Sequence, residues 1–264
     1  MKLSTDKMLA DADGAIGWVT FNNPERHNAV SLEMWQGLGD ALEAFQADPG
    51  VRVVVMKGAG TKAFVSGADI SEFDSRRASA EQKQEYGQVT ARGNRWLRQL
   101  EKPLLAMIRG YCIGGGLAIA LNADVRIATP GSRFGIPAAR LGLGYDYGGV
   151  AALARLVGPS VARDILFSAR LLDADEALRV GLINRIVPDE SLEAEVRAYA
   201  ETIAANAPLT VRAAKAAVNE WERDPANRNH AAVEALVNAC FDSEDYREGR
   251  RAFAEKRRPS FHGR

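Results

Sequence analysis

The sequence predicts an α/β fold with a parallel sheet, and three observations lead there. Short apolar runs rich in β-branched residues recur at 51–56, 103–111 and 124–128, which suits strands buried on both faces. Helical stretches fall between them, and strand, helix, strand alternation implies parallel strands joined by right-handed crossovers. Beyond Gly148 the pattern turns almost wholly helical, so a helical C-terminal region is expected to follow the sheet-bearing core.

The elements follow in order. Residues 15–21 alternate as a strand does, and Asn22-Asn23-Pro24 stops it with turn chemistry. Ser31 is the expected N-cap of a helix whose apolar stripe is Leu32, Trp35, Leu38, Leu42 and Phe45, ended by Asp48-Pro49-Gly50. A short helix is expected to open after Gly114-Gly115-Gly116. Val150, Leu153, Leu156 and Val157 make one helical stripe, and Val161, Ile165 and Leu166 make another. Four further helices are expected at 190–205, 210–220, 228–241 and 244–256, set off by the breakers Pro188, Pro208 and Pro225.

At 264 residues the chain is long enough for one large domain or for a domain with an appendage, on a prior of roughly 100–200 residues per domain. Thirty-four basic residues balance thirty-four acidic ones, which gives no reason to expect nucleic acid or an anionic membrane as the main partner. Two cysteines, Cys112 and Cys240, do not make a disulfide framework. No apolar run approaches the ~20 residues of a membrane helix, and the start MKLSTDKML has no long apolar stretch. A soluble, cytoplasmic protein is the expectation.

Chemistry is concentrated in two stretches. Lys62-Ala63-Phe64-Val65-Ser66-Gly67-Ala68-Asp69-Ile70 follows a buried strand, and its small residues let a ligand approach backbone amides closely. The plainer reading is a strand-to-helix turn capped by Asp69. Gly110-Tyr111-Cys112-Ile113-Gly114-Gly115-Gly116-Leu117-Ala118 sets a glycine triplet before a helix, where unsatisfied amides can stabilise a developing oxyanion. The plainer reading there is a tight packing turn. It lacks the G-x-G-x-x-G spacing of a dinucleotide site. Cys112 has no histidine nearby in sequence, and its apolar neighbours favour an inert buried thiol.

The two stretches, in this order and about fifty residues apart, closely resemble the crotonase (enoyl-CoA hydratase/isomerase) superfamily. Pro24-Glu25-Arg26-His27-Asn28-Ala29 resembles that family's early coenzyme A loop. Residues 175–184 resemble its E-A-x-x-x-G-L-[IV] helix and turn, and residues 250–257 its closing A-F-x-E-K-R segment. The resemblance covers essentially the whole chain. It implies a core of stacked ββα turns over 1–200 holding the coenzyme A site and oxyanion hole. It also implies a helical oligomerisation region over 201–264, assembled as a trimer or a dimer of trimers.

By the same resemblance the thioester carbonyl lies between the amides of Ala68 and Gly115, each contributing on the order of 3–4 kcal/mol to stabilising negative charge. The backbone around Ala29, Ala63, Ser66 and Ile70 is implied to hold the adenine and pantetheine. Arg26, with Phe253 and Lys256 from a neighbouring subunit, is implied to meet the nucleotide phosphates; the plainer reading of Arg26 and Lys256 is solvated surface charge. No metal and no cofactor beyond the coenzyme A of the substrate is implied.

The sequence departs from the hydratases at two positions. Where they carry the two glutamates that hold water and supply a proton, this chain has Ala118 and, after Pro137, Ala138. Asp146 falls where related dehalogenases and dienoyl-CoA isomerases carry a functional aspartate, and Tyr145 where methylmalonyl-CoA decarboxylases carry a pocket tyrosine. Their plainer readings are an N-cap and a packing aromatic. None of His27, His230 and His262 matches the histidine of the dehalogenases. Arg140 is a candidate clamp for a second substrate carboxylate, or half of a surface ion pair. The reading is therefore an acyl-CoA enzyme that stabilises a thioester enolate, with decarboxylase-type lyase chemistry on a short or branched acyl-CoA placed first. A hydratase using Asp146, an acyl-CoA or C–C hydrolase, and a non-catalytic acyl-CoA-binding scaffold are the alternatives.

Overall fold

The computed structural model describes residues 1–69 and 80–264. Among the described residues, nine strands form two sheets whose interleaving defines the architecture. The larger contains β1 (Met8–Asp13), β2 (Ile16–Phe21), β3 (Val53–Gly58), β5 (Leu104–Ile108), β7 (Val125–Ala128) and β9 (Arg185–Ile186), in that spatial order. The smaller contains β4 (Ala63–Val65), β6 (Tyr111–Ile113) and β8 (Arg133–Gly135). Each successive turn of chain thus lays one strand on each sheet, a staircase of ββα turns. All pairings are parallel except β1 with β2.

The expected single strand over 103–111 is instead two strands in two sheets. Gly110 divides them with φ +67°, and a Cβ there would lie 2.0 Å from the Lys62 carbonyl oxygen, so only glycine lets the chain step between sheets. Alternation of apolar residues carried no sign of this step. The three short strands of the smaller sheet escape sequence reading because three residues are too few to show a period of two, and β1 does so because its burial alternates only over its first residues.

The apolar runs are buried on both faces, as expected. Val54, Met56, Leu104 and Ala106 join the core containing Met34, Leu38 and Leu42 of α1 (Leu32–Ala47). Val53, Val55, Leu105 and Met107 pack instead with Leu192, Val196 and Ala200 of the helix Leu192–Ala204. The helix Ala80–Gln99 crosses α1 closely, because a Cβ on Gly93 would sit 2.8 Å from the Trp35 carbonyl. A buried guanidinium ties two turns together: Arg126 donates to the carbonyls of Leu182 and Ala123, satisfying donors that would be costly to leave unpaired.

The two expected stripes after Gly148 are two arms, Tyr147–Ser168 overall, broken where Gly158 takes φ +78° before Pro159. Further helices at Pro208–Glu222, His230–Asp242 and Glu244–Ala254 fall within two residues of their predicted ends. They leave Trp221, Phe241 and Phe253 exposed at 71%, 59% and 87%. Among the described residues, no helix is long and apolar enough to cross a membrane and no group of acidic, histidine and cysteine side chains could hold a metal ion.

Candidate active site

The smaller sheet sets the position of everything that follows. Its strands start in register at Ala63, Tyr111 and Arg133 and end near Val65, Ile113 and Gly135, so the two glycine-containing loops emerge together at its C-terminal end, where parallel sheets present ligand sites. A separate cavity of about 370 Å³, lined by residues including His27, Lys62 and Tyr111, opens at the other end.

Ala68 forms a parallel bridge with Val30. Val30 donates its N–H to the Gly67 carbonyl at 2.8 Å and accepts from the Asp69 amide at 3.0 Å. A parallel bridge uses the groups flanking the bridged residue, so the N–H of Ala68 itself is turned to the opposite side. Gly115 stands there: a Cβ built on it would lie 3.5 Å from the Ala68 nitrogen. Gly115 is also the first residue of the short helix Gly115–Ala120, so its N–H has no acceptor within the helix. Two amides from separate turns of the fold thus converge on one space.

The glycine triplet divides its labour. Gly114 takes φ +55° and ψ −119° and donates to the Gly135 carbonyl at 2.8 Å. Gly115 keeps the space before Ala68 clear. Gly116 lets the helix close onto β4, since a Cβ there would meet the Val65 oxygen at 2.1 Å.

Tyr145 is brought to the same place. Its hydroxyl donates to the Gly114 carbonyl at 3.1 Å, and its ring lies against Gly149, where a Cβ would come within 2.9 Å. Ala118, one turn into the short helix, and Ala138, in the turn Pro137–Leu141, are both half-buried and offer no carboxylate. Asp146 is exposed and occupies the N-cap position before Tyr147–Ser168 without a capping hydrogen bond from its side chain. Arg140 is exposed in the turn Pro137–Leu141.

On the coenzyme side, Ala29 and Ala63 are buried and Ser66 is half-buried, its amide donating to the His27 carbonyl at 3.1 Å. Ile70 lies outside the described residues. Phe253 and Lys256 are exposed at the far C-terminal end. Arg26 is not simply solvated: its Nη1 donates to both oxygens of Asp69, at 3.0 and 3.2 Å. Sequence reading also passed over Asn28. That residue is fully buried, donates to the carbonyls of Ala59 and Ala63, and accepts from the Asn23 amide. Its signal was present as the asparagine of the Pro24–Ala29 motif. Burial holds the Cys112 thiol far above its usual range, which leaves it protonated and unreactive.

Residues 11–264 match the family model described as enoyl-CoA hydratase/isomerase. The chain belongs to that family. Enoyl-CoA hydratase/isomerase relatives include the crotonyl-CoA hydratase of Syntrophomonas wolfei, 34% identical over 98% of this chain and 99% of that one. The carnitinyl-CoA dehydratase of Salmonella typhi is 32% identical over 96% of this chain and 97% of its own length. A solved structure of an enoyl-CoA hydratase/carnithine racemase from Magnetospirillum magneticum aligns with a TM-score of 0.92 and 41% identity, covering 99% of this chain and 97% of that one. The protein is thus an acyl-CoA-processing enzyme with the crotonase fold.

Proposed function

We propose that this enzyme binds a short or branched acyl-CoA, seats the thioester oxygen between the amides of Ala68 and Gly115, and stabilises the enolate formed there. The juxtaposition of Ala68 and Gly115, with alanine at 118 and 138, carries the reading. Donors already oriented toward a developing charge need no reorganisation when it appears. Alanine at both positions removes the ordinary means of activating water.

Decarboxylase-type lyase chemistry suits such a site best. In a malonyl-type thioester the bond between Cα and the carboxylate carbon breaks, carbon dioxide leaves, and the electron pair passes into the thioester as an enolate held by the two amides. Solvent then delivers a proton to Cα. No side chain has to remove a proton in the first step. Tyr145, anchored on Gly114, would pack beside the reacting carbon, and Arg140 would serve as a clamp for a second substrate carboxylate. Coenzyme A runs past the backbone of Ala29, Ala63 and Ser66 toward the nucleotide end.

A second reading is supported by Asp146, whose exposed carboxylate follows Tyr145 and does not cap its helix. It would act as the base for hydration of an enoyl-CoA, the chemistry named for the Syntrophomonas wolfei relative. We further propose self-association through the C-terminal helices, whose exposed Trp221, Phe241 and Phe253 need a covering surface, as a trimer or dimer of trimers in the cytoplasm.

A panel of malonyl-, methylmalonyl-, crotonyl- and simple acyl-CoA esters tests the order of these readings. Carbon dioxide release from a malonyl-type ester supports the first. Rapid hydration of crotonyl-CoA, abolished in Asp146→Asn, replaces it with the second. Binding of the esters without turnover of any would leave a coenzyme A ester-binding role and remove both.

A further inference from the structure

Arg26 ends the turn Pro24–Arg26. Its Nη1 donates to both oxygens of Asp69, at 3.0 and 3.2 Å, and Asp69 is the residue directly after Ala68. The two side chains are unequally exposed: 56% for Arg26 and 11% for Asp69. A carboxylate so far removed from water is costly unless a partner compensates it. The pair also completes a set of bonds that brackets Ala68. Before it, the Ser66 amide is held by His27 and the Gly67 carbonyl by Val30; after it, the Asp69 amide is held by Val30. Asp69 is thus fixed twice, once through its amide and once through its carboxylate.

We infer that Arg26 and Asp69 are positioning residues that fix the aim of the Ala68 N–H, so that a cation near the coenzyme-binding loop governs the electrophilic end of the site. If Arg26 loses its charge, Asp69 loses this ion pair and the backbone it anchors shifts. The Ala68 amide, one peptide away, shifts with it. A donor displaced by about 1 Å forfeits most of its preference for the charged form.

The inference rests on the enolate reading above, and the experiment separates the two. Acetoacetyl-CoA and acetoacetyl-pantetheine, which lacks the nucleotide and its phosphates, both report bound enolate through its near-ultraviolet absorbance. Wild-type protein is expected to show the band with both. Arg26→Gln and Asp69→Asn are each expected to reduce the bound enolate fraction about tenfold with both thioesters, while affinity for acetyl-CoA changes by less than about threefold. Arg26→Lys restores most of the band, and the double variant is no worse than either single one.

If Arg26→Gln weakens only acetoacetyl-CoA, and Asp69→Asn leaves the band intact, Arg26 serves phosphate alone and the inference is overturned. No band in the wild type overturns the enolate reading and this inference with it. Should Asp69→Asn fail to fold, Arg26→Gln and Arg26→Lys, at a half-exposed position, still decide between these outcomes on acetoacetyl-pantetheine.

Discussion

The two sides of the acyl site are built from different materials. On one, the Ala68 and Gly115 amides belong to main chain held by the Val30 bridge, the Gly114 bond to Gly135 and the close seat of Gly116 on Val65. On the other, residues 118, 138, 145 and 146 are side-chain positions carried by a short helix, a turn and the start of the Tyr147–Ser168 helix. Conformation on the first side is over-determined by the fold. Chemistry on the second depends on which side chain each position carries. The difference teaches that, under the proposed reading, the fold sets where charge would be stabilised, whereas the proton chemistry would change one residue at a time.

The largest effect expected from breaking the first side is at Gly115. Its φ is not positive, and an added methyl would stand 3.5 Å from the Ala68 nitrogen, an ordinary contact distance. Gly115→Ala should therefore fold with little change in melting temperature yet block the hole, lowering kcat on the best substrate of the panel by about 100-fold or more. Circular dichroism melting beside steady-state kinetics checks both halves, and unchanged kcat would refute the placement of the hole. Next comes Gly114→Ala, where φ +55° with ψ −119° suits only glycine. A loss of about 1–3 kcal/mol in stability is expected from denaturant titration, together with reduced kcat.

The second side should respond less steeply. Tyr145→Phe removes the hydroxyl bond to the Gly114 carbonyl and is expected to lower kcat by about 3- to 10-fold with KM little changed, consistent with the net worth of one neutral hydrogen bond. Asp146→Asn sharpens the choice of reaction: decarboxylation should change by less than about threefold, whereas an Asp146-dependent hydration should fall by 10² or more.

Smallest is an effect far from the site. Arg257, Arg251 and the Ser260 amide all bond the Glu248 carboxylate and hold it well below its ordinary 4.5. Because the folded value is the depressed one, this contribution is present above 4.5 and is lost as pH falls toward the folded value. The small difference in melting temperature between wild type and Glu248→Gln should accordingly shrink as the pH is lowered from neutrality through the acid range.

Much of this was legible in the sequence because the relevant signals are local. The apolar runs at 51–56 and 124–128, the break at Gly158-Pro159 and the glycine triplet each announce themselves within a few residues. Strands of three residues do not, and neither does the step at Gly110, whose cause is a carbonyl forty-eight positions earlier. The site divided in the same way. Ala68 and Gly115 stood out by motif, but the Arg26 to Asp69 pair spans forty-three positions, and only folding brings those two side chains together. Tyr145 was a candidate by position, while its anchor on Gly114 could not be read from spacing.

Placing the hole in main chain has an evolutionary consequence. Under the proposed reading, every residue except proline keeps the N–H at position 68, so electrophile activation would tolerate most exchanges there while the neighbouring side chains set what acts on the carbon beside it. Similarity across the whole length is then a poor ruler of reaction type. On the same proposed reading, relatives of this chain would be sorted by reaction through the residues they carry at 118, 138, 145 and 146.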